Sequence, residues 1–518
     1  MSHRSLRALC FACAVLECGM LPPPRAGATE YVITSFADVV AADGTCTLRE
    51  AIRAAQNNMA VNECAAGTTE DTIVLQSTGI YSFFHGDEPV SNGPLTIRGL
   101  TGVAANHVID LQDVSRFLRV TASGRITLEG LTLTHGSSVG AAQPEGGALR
   151  VVITEVVLRD VVFSSCTAEA EGGGLYLSTV LGGVTMERVR FVDNLVVGSP
   201  FHPVVTGGGA SIFVPAANLS DVAFEGNRAL SPDPGGRASA GGLRFTIGGS
   251  APGRSTMRRL QVRNNQAEGA LSSDAAGASV AASNSSRLAI EDSSFTDNSL
   301  VTNQAGFSGI ALAAGADQQA ALDLRRLQVH GGGADQTQVA QVTVDASQDA
   351  TVVLDSIAVH SSPASGLFLR AFDDALMLAG QLTVTGNEEV GVKVTGSSSL
   401  PIRLENSILW SNGSGGADDL SVTGTADLGH AGNHLWIGEL GDPDPRFVDA
   451  GAGNLTLQAS SGAVDAGAAS FPSVGPYDAA HAQRVIGPGL DLGAFERGGL
   501  FADGFESGGA WAWSASVP

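Results

Sequence analysis

Lysine is nearly absent from this 518-residue chain, Lys393 being the only one. Lys plus Arg total 29 against 52 Asp plus Glu, a net charge of −23. The lysine scarcity carries no functional meaning, but so acidic a balance makes nucleic acid and anionic lipid poor partners. Aromatics are also scarce, at 5% with four Tyr and four Trp, so a sugar-stacking platform is hard to assemble; Trp410 and Trp436 are its candidates. Beyond the N-terminus no segment approaches 18 continuous apolar residues, which excludes a spanning helix there. No Gly-Gly-x-Gly-x-Asp calcium repeat occurs. What the chain has in quantity is turn residues, with 66 Gly and 20 Pro beside 43% hydrophobic and 16% charged residues, the profile of a folded chain with many turns.

The first residues set the compartment. His3, Arg4 and Arg7 precede the apolar run ALCFACAV, and Ala26-Gly27-Ala28 offers a small-x-small cleavage site, so residues 1–28 read as a secretory signal peptide. Removing that leader takes away three Arg and one Glu, leaving 26 cationic against 51 acidic residues, or −25. Cys10, Cys13 and Cys18 leave with it. Cys46, Cys64 and Cys166 remain, one pair plus one, and an exported, oxidising location suits a Cys46–Cys64 disulfide.

One segment is helical. In CTLREAIRAAQNN (46–58), Thr47 and Glu50 fit a capping box. Leu48, Ala51, Ile52 and Ala55 form one apolar stripe, with Arg49, Glu50, Arg53 and Gln56 pointing elsewhere.

Everything after it repeats. VVLRDVVFSSC (156–166), VTMERVRFVDN (184–194), ANLSDVAFEGN (217–227), TMRRLQVRNN (256–265), LAIEDSSFTDN (288–298), LDLRRLQVHGG (322–332) and VVLDSIAVHSS (352–362) align on their apolar residues. Further copies at 126–136, 376–387 and 402–412 bring the total to ten, with a period of 25 to 38. A second phrase precedes several copies: GGALRV (146–151), GGGLYL (172–177), GGGASIFV (207–214) and AGGLRF (240–245). Leu158, Val161 and Phe163 are spaced by three and then two, so the inward face changes phase at a corner, which a straight strand cannot do. Bent strands in a constant unit, separated by variable loops, predict an all-β chain folded as a right-handed parallel β-helix of roughly 14 rungs, about 65 Å long at the strand spacing.

Two columns emerge from the alignment. Asn194, Asn227, Asn265, Asn298, Asn387 and Asn412 share one position, where stacked amides can bond from rung to rung; Cys166, Gly332 and Ser362 interrupt them. Asp160, Arg188, Asp221, Arg259, Asp292 and Arg326 share another, with alternating sign, and are read as a register-setting charge column. A solenoid also needs its ends closed. The segment 29–70, clamped by Cys46 and Cys64, is therefore assigned as the N-terminal cap, 71–498 as the β-helix including a closing segment 442–498, and 499–518 as a tail.

CTLREAIRAAQNN followed by DTIVL (71–75) resembles the CSLREA-motif segment at the front of secreted bacterial right-handed parallel β-helix proteins. FVDN, FEGN and FTDN together with GGAL and GGGL resemble the FxxN and GGA repeats of polymorphic outer membrane proteins, a family of surface β-helix adhesins. DPDPRFVDAGAGNLTLQASSGAVDAG (442–467) with DLGAFE (491–496) is similar to a closing segment of such bacterial β-helices. That resemblance implies a secreted or outer-surface protein. The chain departs from the polymorphic family in lacking, after 412, the alternating strands of an exporting barrel. GLFADGFESGGAWAWSASVP (499–518) resembles a tail of secreted Gram-negative proteins, with Phe501, Phe505, Trp511 and Trp513 expected to dock on the last rung.

Catalytic signals are thin. THGSSVG (134–140) resembles the His-Gly segment of polygalacturonases, but the rest of that set is missing, and Asp373-Asp374 and Asp418-Asp419 read as solvated turns. His430 and His434 are four apart outside any helix, which removes the metal argument; His330 and His360 can stack in successive copies. No catalytic residue, cofactor or metal is assigned. The leading reading is a monomeric, non-catalytic adhesion or ligand-binding protein whose long loops contact a host or environmental glycan or a surface protein. A polysaccharide lyase or glycoside hydrolase, and a structural spacer, are the alternatives. A cleft lined by carboxylates and arginines favours the enzyme, an exposed apolar or polar strip the binder, and a featureless acidic face the spacer.

Overall fold

The computed structural model describes residues 28–498 apart from 122–123, 153, 250–253, 303–308, 335–338, 401, 414–417, 425–433 and 469–473. The proposed leader, except Ala28, and the tail 499–518 lie outside the described residues.

Each rung is built as the spacing predicts. In Glu155–Ser164, Leu158, Val161 and Phe163 are all fully buried, and Asp160 between them takes φ 51°, turning the chain without ending the ladder. The same left-handed corner recurs at Arg188, Asp221, Arg259, Asp292, Arg326, Ser356, Gln381 and Asn406. A second one follows at Ser165, Asp193, Asn264, Asp297, Ser361 and Ser411. Between the two corners a short strand points one large residue inward, giving the registered column Leu133, Phe163, Phe191, Phe224, Val262, Phe295, Val329, Val359 and Val384. The rings of Phe163, Phe191 and Phe224 stack at 4.9 and 4.8 Å, the rung spacing itself.

The strands form a 20-stranded and a 12-stranded parallel sheet around one core. The molecule is a parallel β-helix with the right-handed winding that parallel connections take. The Gly-Gly phrases lie where successive rungs come closest. A Cβ on Gly173 would sit 2.1 Å from the Gly208 carbonyl oxygen, and one on Gly208 2.1 Å from that of Gly241.

Three features differ from the sequence expectation. The first rung begins inside the segment assigned to the cap: Thr29–Ile33 pairs in parallel with Asp71–Leu75, so the helix Leu48–Asn57 is an insertion between two rungs. The variable loops are themselves ordered. Segments such as Leu195–Val197, Arg228–Ser231 and Gln266–Gly269 stack into a six-stranded sheet, with a three-stranded sheet beside it. Ala168, Val196, Val205, Ala229, Ala238, Ala267 and Leu300 give this flange its own core.

The third difference concerns 442–498. Its described residues add no rung. After an antiparallel pair, Phe447–Asp449 with Asn454–Leu457, the chain runs back along the outside of the solenoid as a strap. The cause lies in the outward positions. On the column between the corners these run Thr132, Val162, Arg190, Ala223, Gln261 and Ser294 in early rungs and Gln328, Ala358, Thr383, Ile408 and Trp436 later, so that the late rungs present the large apolar groups Ile408 and Trp436 beside Ala358. Those apolar outward residues pack with Leu455, Leu457, Ala463, Leu492 and Phe495 of the strap.

Candidate functional site

The N-terminal motif residues are structural. Cys46 and Cys64 are disulfide-bonded with Cα atoms 5.0 Å apart. Leu48, Ala51 and Ile52 close the end of the core. Arg49 and Glu50, expected to point away, are both buried, because each meets several hydrogen-bond partners there. Arg49 Nε and Nη2 donate to Asp38 at 2.6 and 2.9 Å, and Nη1 to Glu88 at 2.6 Å and the Gly86 carbonyl at 2.9 Å. Its guanidinium lies 3.8 Å over the Phe83 ring. Burial opposes ionisation of Asp38, but Arg49 and the Phe84 and His85 amides outweigh it and hold its carboxyl below the usual value. Glu50 completes the capping box with Thr47 and also accepts from the Ala41 amide and Asn62.

The asparagines lie in one buried line. Asn194 Nδ2 donates to Asn227 Oδ1 at 2.9 Å, Asn227 to Asn265 and Asn265 to Asn298 at 3.0 Å, while each Nδ2 also reaches a backbone carbonyl one rung back. Asn387 continues to Asn412, and Asn412 to Asp419, which is wholly buried rather than a solvated turn. Cys166 heads the line; burial pushes its thiol up to about 12, so it stays a protonated packing group.

The charge column is three discrete pairs rather than one continuous ladder. Arg188 bonds Asp160 at 2.7 and 2.9 Å, Arg259 bonds Asp221 at 2.6 and 2.7 Å, and Arg326 bonds Asp292 through both Nε and Nη2. A parallel column one residue earlier runs through Glu187, Ser220, Arg258, Glu291, Arg325 and Asp355, and Glu291 accepts from Arg254, Arg258 and Arg326.

Where this charged corner meets the strap there is a cleft of about 410 Å³. The solenoid contributes Arg259, Asp292, Ser294, Arg326 and Gln328, and the strap contributes 479–481. Gln328 Nε2 donates to the Ala479 carbonyl at 2.9 Å. His481 Nδ1 lies 3.0 Å from Asp292 Oδ1, and its ring stacks on the exposed Tyr477 at 4.9 Å. Burial opposes ionisation of Asp292, yet Arg326 and His481 together hold its carboxyl low. The cleft thus presents guanidinium and amide donors beside an aromatic pair, and its one lining carboxylate is already bonded on both oxygens. Hydrolysis by paired carboxylates needs a second one across the groove, and none lines it among the described residues. A broader shelf of about 810 Å³ near the N-terminal end is lined by Thr72, Thr96, Thr127, Arg125 and Glu155.

Sequence reading missed His481, Tyr477 and the strap because PYDAAHAQRV has no periodicity to read. The other candidates fall elsewhere. Trp410 and Trp436, considered for a sugar platform, pack against the strap core instead. His330 and His360 stack at 5.1 Å, and burial pushes His360 down to about 4, which keeps it neutral. His135 bonds Asp110 at 3.0 Å. Asp373 and Asp374 form a left-handed corner, and His430 lies outside the described residues. No group of three or more potential metal ligands occurs among the described residues, and none of their helices is long and apolar enough to cross a membrane.

No family model matches the chain, and no curated protein does. Among solved structures, pectate lyase Pel9A is similar with a TM-score of 0.38 and 15% identity, over 91% of this chain and 97% of that one.

Proposed function

We propose that this protein is a secreted or cell-surface, non-catalytic β-helix protein that binds a glycan or surface protein through the strap cleft. In this reading residues 1–28 are a signal peptide, the front segment is of the CSLREA kind, the repeats are of the polymorphic outer membrane protein kind, and the chain acts as a monomer without nucleic acid or cofactor. The observation that supports it is that the charges lining the cleft are already paired: Asp292 with Arg326 and His481 inside it, and Arg259 with Asp221 outside it. Such a site offers fixed hydrogen-bond donors to sugar hydroxyls or carboxylates and holds no carboxyl poised for proton transfer. The disulfide suits an oxidising exterior.

A second reading, a polysaccharide lyase or hydrolase, draws on the composition of the same cleft, where Asp292, His481 and two arginines adjoin. A spacer without ligand is the third. The test is to measure binding of the purified chain to a panel of neutral and acidic polysaccharides, and to assay the same mixtures for new reducing ends with and without calcium. Binding without cleavage, weakened about tenfold or more by His481→Ala, a loss of about 1.4 kcal/mol, supports the first reading. Cleavage abolished by Asp292→Asn replaces it with the second, and neither binding nor cleavage leaves the third.

A further inference from the structure

Beneath the strap five charged side chains are almost wholly enclosed: Asp355, Asp478, Arg484, Asp491 and Glu496, none more than 3% exposed. The carboxyls act as knots for the backbone. Asp478 accepts from the Ala480, Ala482 and Glu496 amides, Asp491 from those of Asp465 and Arg497, and Glu496 from those of Ile486 and Asp491. Asp355, on the solenoid, accepts from Gly475 of the strap at 3.0 Å.

Their cation is undersupplied. Arg484 Nη2 donates to Ser356 Oγ at 2.8 Å, but Nε and Nη1 have no protein partner. Four ionised carboxylates against this one guanidinium would enclose 4 − 1, or three, net negative charges. Of the surrounding charges, Arg325 reaches Asp355 at 3.2 Å, Asp465 and Arg497 flank Asp491 with opposite signs, and His481 with Asp292 lies at the strap's other contact. Enclosure in such excess favours retention of a proton in the cluster, against the backbone amides, which favour the ionised form.

We infer that the strap is a proton-operated latch, closed on the solenoid while the carboxyl cluster around Arg484 retains a proton and loosened when that proton leaves. Burial and the neighbouring Asp491 push Glu496 up to about 7, and burial raises Asp355, Asp478 and Asp491 as well. For an acid raised in the folded state, the stabilisation is complete below its unfolded value near pH ~4.3 and is lost as pH rises through about 7. Loosening uncovers Ala358, Ile408, Trp410 and Trp436 and removes His481 from the cleft.

The test is hydrogen exchange by mass spectrometry on the full chain from about pH 5 to about pH 9, with labelling times scaled for intrinsic exchange. Amides of 475–497 should lose protection by about tenfold or more across that range, while rung amides such as those of Glu155–Ser164 do not change. Glu496→Gln should flatten the profile. Constant protection of the wild-type strap overturns the inference, as does a Glu496→Gln profile as steep as the wild type. Should that variant fail to fold, Asp491→Asn replaces it, and the wild-type profile alone still decides.

Discussion

Four consecutive residues, Leu48 to Ala51, show how little of a short motif is free to vary. Leu48 and Ala51 close the core, Arg49 ties the cap to Asp38 and Glu88, and Glu50 locks both the helix start and the loop around Asn62. A buried arginine with four of its donors used is a positioning device, and removing either partner would leave a charge enclosed and unpaired. The asparagine line obeys the same logic with neutral groups. Asn227→Leu leaves the Asn194 backbone amide without its acceptor, the Asn194 side chain with only the Phe163 carbonyl, and the Phe191 carbonyl without its side-chain donor. At roughly 1–3 kcal/mol for each stranded group, the variant should lose about 3 kcal/mol or more, read from its denaturant midpoint. A midpoint equal to wild type would mean that the line is ornamental.

Among elements, the bent strand is the repeating device, and the left-handed corner is where its sequence is least constrained by the core. Arg, Asp, Ser, Gln and Asn all occupy it, and the two charged types are arranged in pairs across neighbouring rungs. Because Asp221 and Arg259 are largely exposed, their pairing contributes mainly to register. Arg259→Asp would set three carboxylates in line at successive corners, Asp221, the new one and Asp292. It should lower the melting temperature more at low than at high salt, since added ions screen exposed like charges. Equal losses at both would remove electrostatics as the reason for the column.

The molecule as a whole is a rod whose two ends are fastened by opposite proton chemistry. At the front, Asp38 is held below its usual value by Arg49 and backbone amides. A carboxyl lowered in the folded state contributes stability above its unfolded value of ~3.9, and that stability is lost as pH falls through the lowered value. Cap amides should therefore lose exchange protection ahead of the rungs as pH drops below ~4, and Asp38→Asn should show the loosened cap at neutral pH. An acid profile in that variant matching wild type would sink the assignment. At the rear, the strap cluster has the reverse sign, weakening as pH rises. The core of the rod between them is held by apolar stacking and an asparagine ladder that do not titrate.

The sequence by itself determined the β-helix, since a core position recurring every 25 to 38 residues with a phase change at one corner has no other way to be buried. It also identified the helix start and the cysteine pair, because capping and short-range crosslinking are local in the chain. What tertiary structure alone decided is everything that depends on outward faces. Arg49 and Glu50 look like solvated helix residues until Asp38, Glu88 and Asn62 are brought to them from elsewhere. The inserted loops look irregular until stacking puts Ala168, Val196 and Ala229 in one line. The cleft joins His481 to Asp292 across 189 positions, a pairing that no periodicity encodes. Inward residues answer to a repeat and can be read from it; outward ones answer to whatever part of the chain comes to lie on them.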